Sequence, residues 1–314
     1  MLSRFIAHAL PVLPRSIVGA VARRYIAGED LAAARATVDE LAEAGMYATV
    51  DILGEDVTSD DEADQVLEEY RAAVREIASW RHRDRVGLSL KPTQFGLRVA
   101  PEAAEARLRA LVDEAHREGL FVRLDMEDSS TTDAICALYD DLAAVAPGGV
   151  GCVLQAMLFR TRLDAARLAA QETARRAQAA SGHRHDVRLC KGIYQEPSDR
   201  AWQEFEGIRD NYVHVARTLL EAGVRLRAAT HDRYLIDRVE ELGRELDIPP
   251  EDIEFQALLG VPIRKTLVRL RDLGHPVRLY VPFGGAWYAY SVRRLRENPA
   301  VVGHVMRALF RGQR

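Results

Sequence analysis

The sequence predicts a (β/α)8 barrel of the α/β class, and three observations carry that expectation. Eight short β-branched runs recur along the 314 residues, each followed by a helix-period segment rich in Ala, Arg, Glu and Leu. Successive runs start 39, 35, 31, 35, 39, 27 and 24 residues apart, the spacing of a repeated βα unit. No Gly-rich dinucleotide turn follows the first run, which disfavours a doubly wound sheet. No Pro/Gly/Ser-rich linker divides the chain either. The expected organisation is a short N-terminal helical segment, residues 1–46, packed on a barrel of residues 47–314, with a terminal helix over the barrel mouth.

Taken in order, a helix-period segment at Leu31 to Ala44 precedes the first strand at Tyr47 to Leu53, and Asp60 to Trp80 follows it. The second strand, Val86 to Lys91, leads to a helix at Pro101 to Glu118, where proline suits the first helical position. Strands at Phe121 to Met126 and Cys152 to Met157 come next, the latter followed by a helix at Leu163 to Ala180. Val187 to Gly192 precedes a helix at Asp199 to Ala222. Leu226 to Thr230, Ile253 to Leu258 and Val277 to Val281 complete the set.

Composition narrows the function classes. With 48% hydrophobic residues, 29% charged and a net charge of −4, the chain is an ordinary globular one with no basic tract for nucleic acid. Cys136, Cys152 and Cys190 show no CxxC or CxxH pairing and read as small buried hydrophobes in a reducing compartment. No apolar run reaches the ~18 residues of a membrane span. The first 28 residues, interrupted by Pro11 and Pro14, make a poor signal peptide. They suit an amphipathic helix packed on the domain, with an interfacial membrane contact as the alternative. The expected location is cytoplasmic, with peripheral contact at the inner face of the cell membrane as an option.

In a barrel, chemistry gathers at the C-terminal ends of the strands. Those ends supply Asp51 and Glu55, Lys91, Asp125 and Glu127, Gln155, Arg188 with Lys191 and Tyr194, Thr230 with His231, Gln256, and Tyr280. Of the 43 basic residues only Lys91, Lys191 and Lys265 are lysine. Each lysine is the more informative for that, because a compact ammonium fits where a planar fork does not. Three readings stay open for Lys91 and Lys191: a Schiff-base nucleophile, an ion pair with Asp125 or Asp51 across the mouth, or a ligand contact. His231 is a candidate base or a hydrogen-bonded structural group. His183 and His185 lie in a polar loop and make a poor metal pair. No P-loop, GxSxG or HExxH signature occurs. Near the C-terminus, GGAWYAYSVRRLRENP puts Trp287, Tyr290, Arg294 and Glu297 on one helix face with Arg293 at its edge. Two guanidinium groups beside two aromatic rings suit a bound carboxylate; the alternative is an exposed basic helix with internal ion pairs.

These segments resemble the flavin-dependent proline dehydrogenases in their monofunctional bacterial form. The resemblance runs through DILGE (Asp51 to Glu55), SLKPTQFGL (Ser89 to Leu97), RLDMED (Arg123 to Asp128) and VLQAML (Val153 to Leu158). It continues through RLCKGIY (Arg188 to Tyr194), ATHD (Ala229 to Asp232), EFQALLG (Glu254 to Gly260), LYVPFG (Leu279 to Gly284) and WYAYSVRRLREN (Trp287 to Asn298). The motifs fall in the family's order, each on a predicted strand end or the last helix.

The resemblance implies a barrel that binds FAD non-covalently and oxidises L-proline to Δ1-pyrroline-5-carboxylate, passing electrons to a membrane quinone. It implies that Arg293 and Arg294 grip the proline carboxylate and that Lys91, held by Asp125, completes the anion site. Tyr280, Tyr290 and Leu258 would pack on the ring, and Glu55 would pair with the first arginine and help to close the site. Gln155, Arg188, Lys191, Gly192 and Tyr194 would lie along the isoalloxazine; Thr230, His231 and Glu297 would contact the ribityl, pyrophosphate or adenosine portions. No metal is implied. With no second catalytic domain in the chain, a separate pyrroline-5-carboxylate dehydrogenase is the expected next enzyme. Ala257 and Leu259 depart from the bulkier or more polar residues usual in EFQALLG, which bears on pocket shape near Leu258. Tyr280 favours proline over hydroxyproline. The competing readings are a dehydrogenase of hydroxyproline or another cyclic amine, a Schiff-base lyase, and a catalytically inactive binding barrel.

Overall fold

Eight parallel strands close on themselves in sequence order, β1 to β8, in the computed structural model of the chain. The structure describes residues 19, 24–54, 56–178, 183–288 and 291. The strands are β1 (Tyr47–Ile52), β2 (Val86–Leu90), β3 (Phe121–Leu124), β4 (Val150–Gln155), β5 (Asp186–Cys190), β6 (Arg225–Ala229), β7 (Ile253–Leu258) and β8 (Val277–Phe283). The barrel closes where β8 pairs with β1, Tyr280 opposite Thr49 and Pro282 opposite Asp51.

Helix α1 (Leu31–Glu43) precedes the barrel and packs on β1 and β8, closing the outer ring over that seam. Its start is fixed by Asp30, whose side chain accepts from Ala33 N–H at 2.9 Å. Helix α2 (Asp60–Ala78) opens on Ser59 accepting from Glu62 N–H, with three acidic residues in its first turn facing the positive end of the helix dipole. Helix α3 (Pro101–Arg117) has proline at its first turn, and α5 (Thr161–Ala177) follows β4. Helix α6 (Phe205–Ala222) ends on Gly223 in the left-handed region at φ 84°.

Three further helices, α4 (Thr132–Val145), α7 (Arg233–Glu245) and α8 (Arg264–Asp272), fill spaces for which the sequence reading named no helix. Helix α6 begins at Phe205 rather than Asp199. Residues 195–204 form a loop instead, held by a short antiparallel bridge between Leu158 and Ala201.

Strand side chains alternate between two environments. Ala48, Val50, Ile52, Val122, Leu124, Val277, Leu279 and Val281 face the helices and join the main apolar core. Their neighbours Thr49, Asp51, Arg123, Asp125, Arg278 and Tyr280 face the barrel axis, where polar groups bond to one another. Before α1 the chain runs along the C-terminal end of β8, Ala27 N–H donating to Pro282 and Gly284 N–H to Gly28. Among the described residues no helix is long and apolar enough to cross a membrane.

Candidate active site at the C-terminal mouth

The strand ends bring Lys91, Asp51, Asp125, Arg188 and Tyr280 into one connected group. Lys91 Nζ lies against the Asp51 carboxylate, 3.2 Å from the Tyr280 hydroxyl and 3.5 Å from Asp125 Oδ2. Asp51 is therefore the nearer partner of Lys91, where the resemblance implied Asp125. The Asp125 carboxylate is occupied by other donors: Ser89 Oγ at 2.6 Å, Arg188 Nη1 at 2.8 Å and the Tyr280 hydroxyl at 3.0 Å. Arg188 Nε donates to Gln256 Oε1 at 2.7 Å, and Gln256 Nε2 donates in turn to Glu254 Oε1 at 2.6 Å. Gln256 has one acceptor and one donor end, so the Glu254 carboxylate below fixes which end Arg188 meets. The Tyr280 ring stands between two cations, Arg188 at 5.4 Å and Lys91 at 5.9 Å from its centroid.

The electrostatics follow from burial and from who sits next to whom. Burial acts to neutralise Lys91, but Asp51 and Asp125 outweigh it and hold the ammonium well above its ordinary value. Burial works against the Asp125 anion too, yet Lys91 and Arg188 bring its carboxyl below the usual range. Asp51 is fully buried, and there desolvation wins, pushing its carboxyl up against the pull of Lys91. Its Oδ2 has no hydrogen-bond donor among the described residues. The mouth therefore holds Lys91 as a firm cation and Asp125 as a firm carboxylate, with the Arg188 guanidinium bonded to the latter.

Around this group lie the other expected residues. Gln155, buried at the end of β4, donates to the carbonyl of Glu127 at 2.7 Å. Lys191, just past β5, is half-buried; burial lowers its ammonium, and Asp232 stands 3.8 Å away. Its Nζ lies 4.7 Å from the Phe205 ring centroid. Gly192 has φ +103°, and an added Cβ would come within 2.4 Å of Met157, so the turn after Lys191 requires glycine. Tyr194 is exposed on the same rim. The Thr230 hydroxyl accepts from Asp232 N–H at 3.1 Å, bracing the turn into α7. His231 Nε2 accepts from Leu258 N–H at 3.1 Å, which leaves the proton of the neutral ring on Nδ1. Together with the bond from Thr230 N–H to the Gln256 carbonyl, this contact joins the ends of β6 and β7 and fixes the His231 ring. Leu258 pairs in register with Tyr280.

Glu55, Tyr290, Arg293, Arg294 and Glu297 lie outside the described residues, as does most of the expected terminal helix. Where it begins, Trp287 Nε1 donates to Glu29 at 2.9 Å and Ser291 Oγ donates to the Trp287 carbonyl at 2.7 Å.

Two residues at the centre of the hydrogen bonding had no role in the sequence reading beyond their position. Gln256 sits two residues from Leu258 on β7, where strand alternation was the available signal, and Glu127 lies just past β3, two residues beyond Asp125. A cavity of about 220 Å³ opens at the opposite mouth, between residues that include Tyr47, Arg225, Arg227, Glu254 and Arg278. Its Arg227, Glu254 and Arg278 are committed to one another, so the mouth at the strand C-termini is the candidate site.

The sequence profile described as proline dehydrogenase matches residues 34–307. Proline dehydrogenase 1 of Bacillus subtilis is 33% identical over 291 residues, covering 92% of this chain and 91% of the relative. Proline dehydrogenase of Deinococcus radiodurans is 28% identical over 303 residues, 96% of this chain and 93% of that one. Among solved structures, proline utilization A from Bdellovibrio bacteriovorus, inactivated by N-propargylglycine, superposes with a TM-score of 0.80 at 26% identity. It covers 88% of this chain, which spans 32% of that longer protein. The chain belongs to the proline dehydrogenase family, a family of oxidoreductases.

Proposed function

We propose that this protein oxidises L-proline to Δ1-pyrroline-5-carboxylate, the first step of proline catabolism toward glutamate, using non-covalently bound FAD. The observation that carries the reading is the Lys91–Asp51–Asp125–Arg188–Tyr280 group, which puts two cations and a phenol at the mouth of an enclosing barrel.

The residues present fit a flavin. Such a group needs flat apolar walls and several donors for its ring edge and phosphates. The rim offers exposed Tyr194, Phe205 and Tyr234, with Arg209 stacked between the last two at 4.4 and 4.9 Å. Arg188 spends Nε and Nη1 within the barrel, and Nη2 has no partner among the described residues. Gln155, Arg188, Lys191, Gly192 and Tyr194 would lie along the ring system, and Thr230, His231 and Glu297 along the rest of the cofactor. FAD would supply at N5 the acceptor for the hydride from proline C5 and pass the electrons to a membrane quinone.

The chain's own residues do the rest. Arg293 and Arg294 clamp the substrate carboxylate, and Lys91 completes the anion site from the barrel floor. Tyr280, Tyr290 and Leu258 pack on the ring and fix which carbon faces the acceptor. Glu55 pairs with Arg293 and excludes water on closure. The surplus of cations favours the neutral form of the substrate amine, whose lone pair drives loss of the hydride. Residues 1–46 serve as a segment packed on the barrel of 47–314 and are the candidate contact with the quinone-bearing membrane. A separate dehydrogenase then consumes the product.

Lys91 is unsuited to Schiff-base chemistry, because two carboxylates hold it as ammonium. The deciding experiment is an absorbance spectrum of the purified protein followed by anaerobic L-proline. A flavin spectrum that bleaches with proline and poorly with hydroxyproline supports the proposal. A flavin that proline leaves unchanged moves the substrate to another amine. A colourless protein that FAD cannot reconstitute overturns it.

A further inference from the structure

Behind Lys91, one hydroxyl group meets two acids. Thr93 Oγ1 lies 2.5 Å from Glu127 Oε1 and 2.9 Å from Asp56 Oδ1, while Thr93 N–H donates to Glu127 Oε2 at 3.0 Å. A hydroxyl has a single hydrogen. With both acids ionised, it could donate to one and would hold its lone pairs against the other at bonding distance. That repulsion would fall in a pocket where Glu127 is 5% and Thr93 2% exposed.

One added proton satisfies every atom. Glu127 Oε1–H donates to Thr93 Oγ1, the Thr93 hydroxyl donates to Asp56 Oδ1, and Thr93 N–H donates to Glu127 Oε2. The 2.5 Å contact sits at the short end of the O–H···O range, as suits an acid donor. The proton belongs on Glu127 rather than Asp56. Asp56 reaches solvent and stands 3.5 Å from Arg98 Nε, whereas Glu127 is enclosed.

We propose that Glu127 keeps its proton and acts as a positioning residue, tying the segment after β1 to the backbone that presents Lys91. Thr93 lies two residues past Lys91, in the 3₁₀ turn Pro92–Phe95 whose first bond runs from Gln94 N–H to the Lys91 carbonyl. The Glu127 carbonyl accepts from Gln155. One neutral acid just past β3 thus links the segments after β1 and β2 and the end of β4. The charged groups facing it are Asp56 from the β1 side, Lys91 from β2 and Arg98 from the turn before α3. Burial pushes the Glu127 carboxyl up and Asp56 adds to this, against the Thr93 hydrogen bonds and Lys91. Above that raised value the two acids repel across Thr93 and the tie is released.

The kinetic arm of the test rests on the proposed oxidation of proline; the spectroscopic arm needs no turnover. Glu127→Gln reproduces the neutral pattern, its amide N–H donating to Thr93 Oγ1 and its carbonyl accepting from Thr93 N–H. The infrared difference spectrum at neutral pH, wild type minus Glu127→Gln, should contain the C=O stretch of a protonated carboxylic acid. A difference showing only a carboxylate band overturns the proton assignment, whatever the substrate. With proline as probe, the ratio of the wild-type KM to that of Glu127→Gln should rise about fivefold as pH is taken above the value at which the Glu127 carboxyl ionises. Parallel profiles in the two proteins overturn the positioning role. Glu127→Ala should raise KM about tenfold with kcat changed less than about threefold.

Discussion

The lower and upper halves of the barrel interior are built from the same residue types and do different things. Below, Arg123, Arg227 and Arg278 interleave with Asp186 and Glu254. Arg227 Nε reaches Asp186 at 2.9 Å and its Nη1 reaches Glu254 at 3.2 Å; Arg278 Nε reaches Glu254 at 2.8 Å. Spare guanidinium hydrogens go to the carbonyls of Cys152, Asp186 and Ala48. Above, Lys91 and Arg188 share Asp125, while Asp51 is raised by burial. The lower layer has spent its hydrogen-bonding capacity on itself, apart from the buried Arg123 Nε. The upper layer keeps one donor, Arg188 Nη2, and one acceptor, Asp51 Oδ2, without a hydrogen-bond partner among the described residues. A charged residue in a barrel marks a site through the valence it retains, more than through its charge.

The largest effect should come from breaking the lower layer. Glu254→Ala leaves Arg278 without its carboxylate and Arg227 with Asp186 alone, and removing one partner of a buried pair costs about 3–5 kcal/mol. Urea unfolding should show that loss, while the KM of any properly folded fraction rises only about threefold through the Gln256 amide freed beside Arg188. A stable Glu254→Ala protein with impaired turnover would reverse the roles given to the two layers.

Asp125→Asn tests the upper layer. It leaves Lys91 and Arg188 without their shared anion and frees both to reorient. Proline kcat/KM should fall about 10²-fold, with a stability change near 1 kcal/mol. Equal damage to stability and turnover would merge the two halves into one structural lattice.

Acid should separate the layers as well. Glu254 is fully buried, and although burial raises its carboxyl, Arg278 and Arg227 overcome this and bring it down to about 2; Asp186 is likewise lowered. Because these folded values lie below the unfolded ones, their stabilisation is complete above the ordinary carboxylate range. It is lost as pH falls through about 2. Unfolding monitored from pH 6 to pH 2 should show little loss from this layer until below pH ~4. In Glu254→Gln that contribution should be missing throughout. Asp51 runs the other way. Its raised value makes the neutral form the better fit to the fold, so its contribution is greatest below the unfolded value and declines as pH rises through the folded one.

How much of this could be read from the chain depended on the distance over which each signal acts. Strand positions were legible because alternation and βα spacing are local: seven of the eight predicted starts fall within one residue of the observed ones, and β4 begins two residues early, at Val150. Helix α8 was hard to see because it has only nine residues and four of them are basic. Lys91, Asp125, Arg188 and Tyr280 were legible as strand-end residues. The ion pair of Lys91 with Asp51 was one of several readings the residues left open; the bridge of Gln256 between Arg188 and Glu254 was not legible. That bridge joins Arg188 on β5 to Gln256 on β7, 68 residues apart in sequence with a strand between them, where no spacing rule reaches.

Ser89 lies where the two layers meet, and its loss should be the mildest of these changes and the most diagnostic. It is fully buried and gives Asp125 one of its three stabilising hydrogen bonds, at 2.6 Å. Ser89→Ala removes that donor without removing any charge, so stability should drop by about 1 kcal/mol. Asp125 keeps Arg188 and Tyr280 and remains an anion at neutral pH, so KM there should change less than about threefold. What should move is the acid limb of the pH–rate profile. Asp125 is held below its ordinary value partly by this hydrogen bond, so without it the carboxylate takes up a proton at higher pH. Activity of Ser89→Ala should therefore begin to fall at a higher pH than in the wild type, with the alkaline limb unchanged. An acid limb that stays in place would mean that the Asp125 anion is not what the upper layer needs. The retained valence would then belong to Lys91 and Arg188 alone.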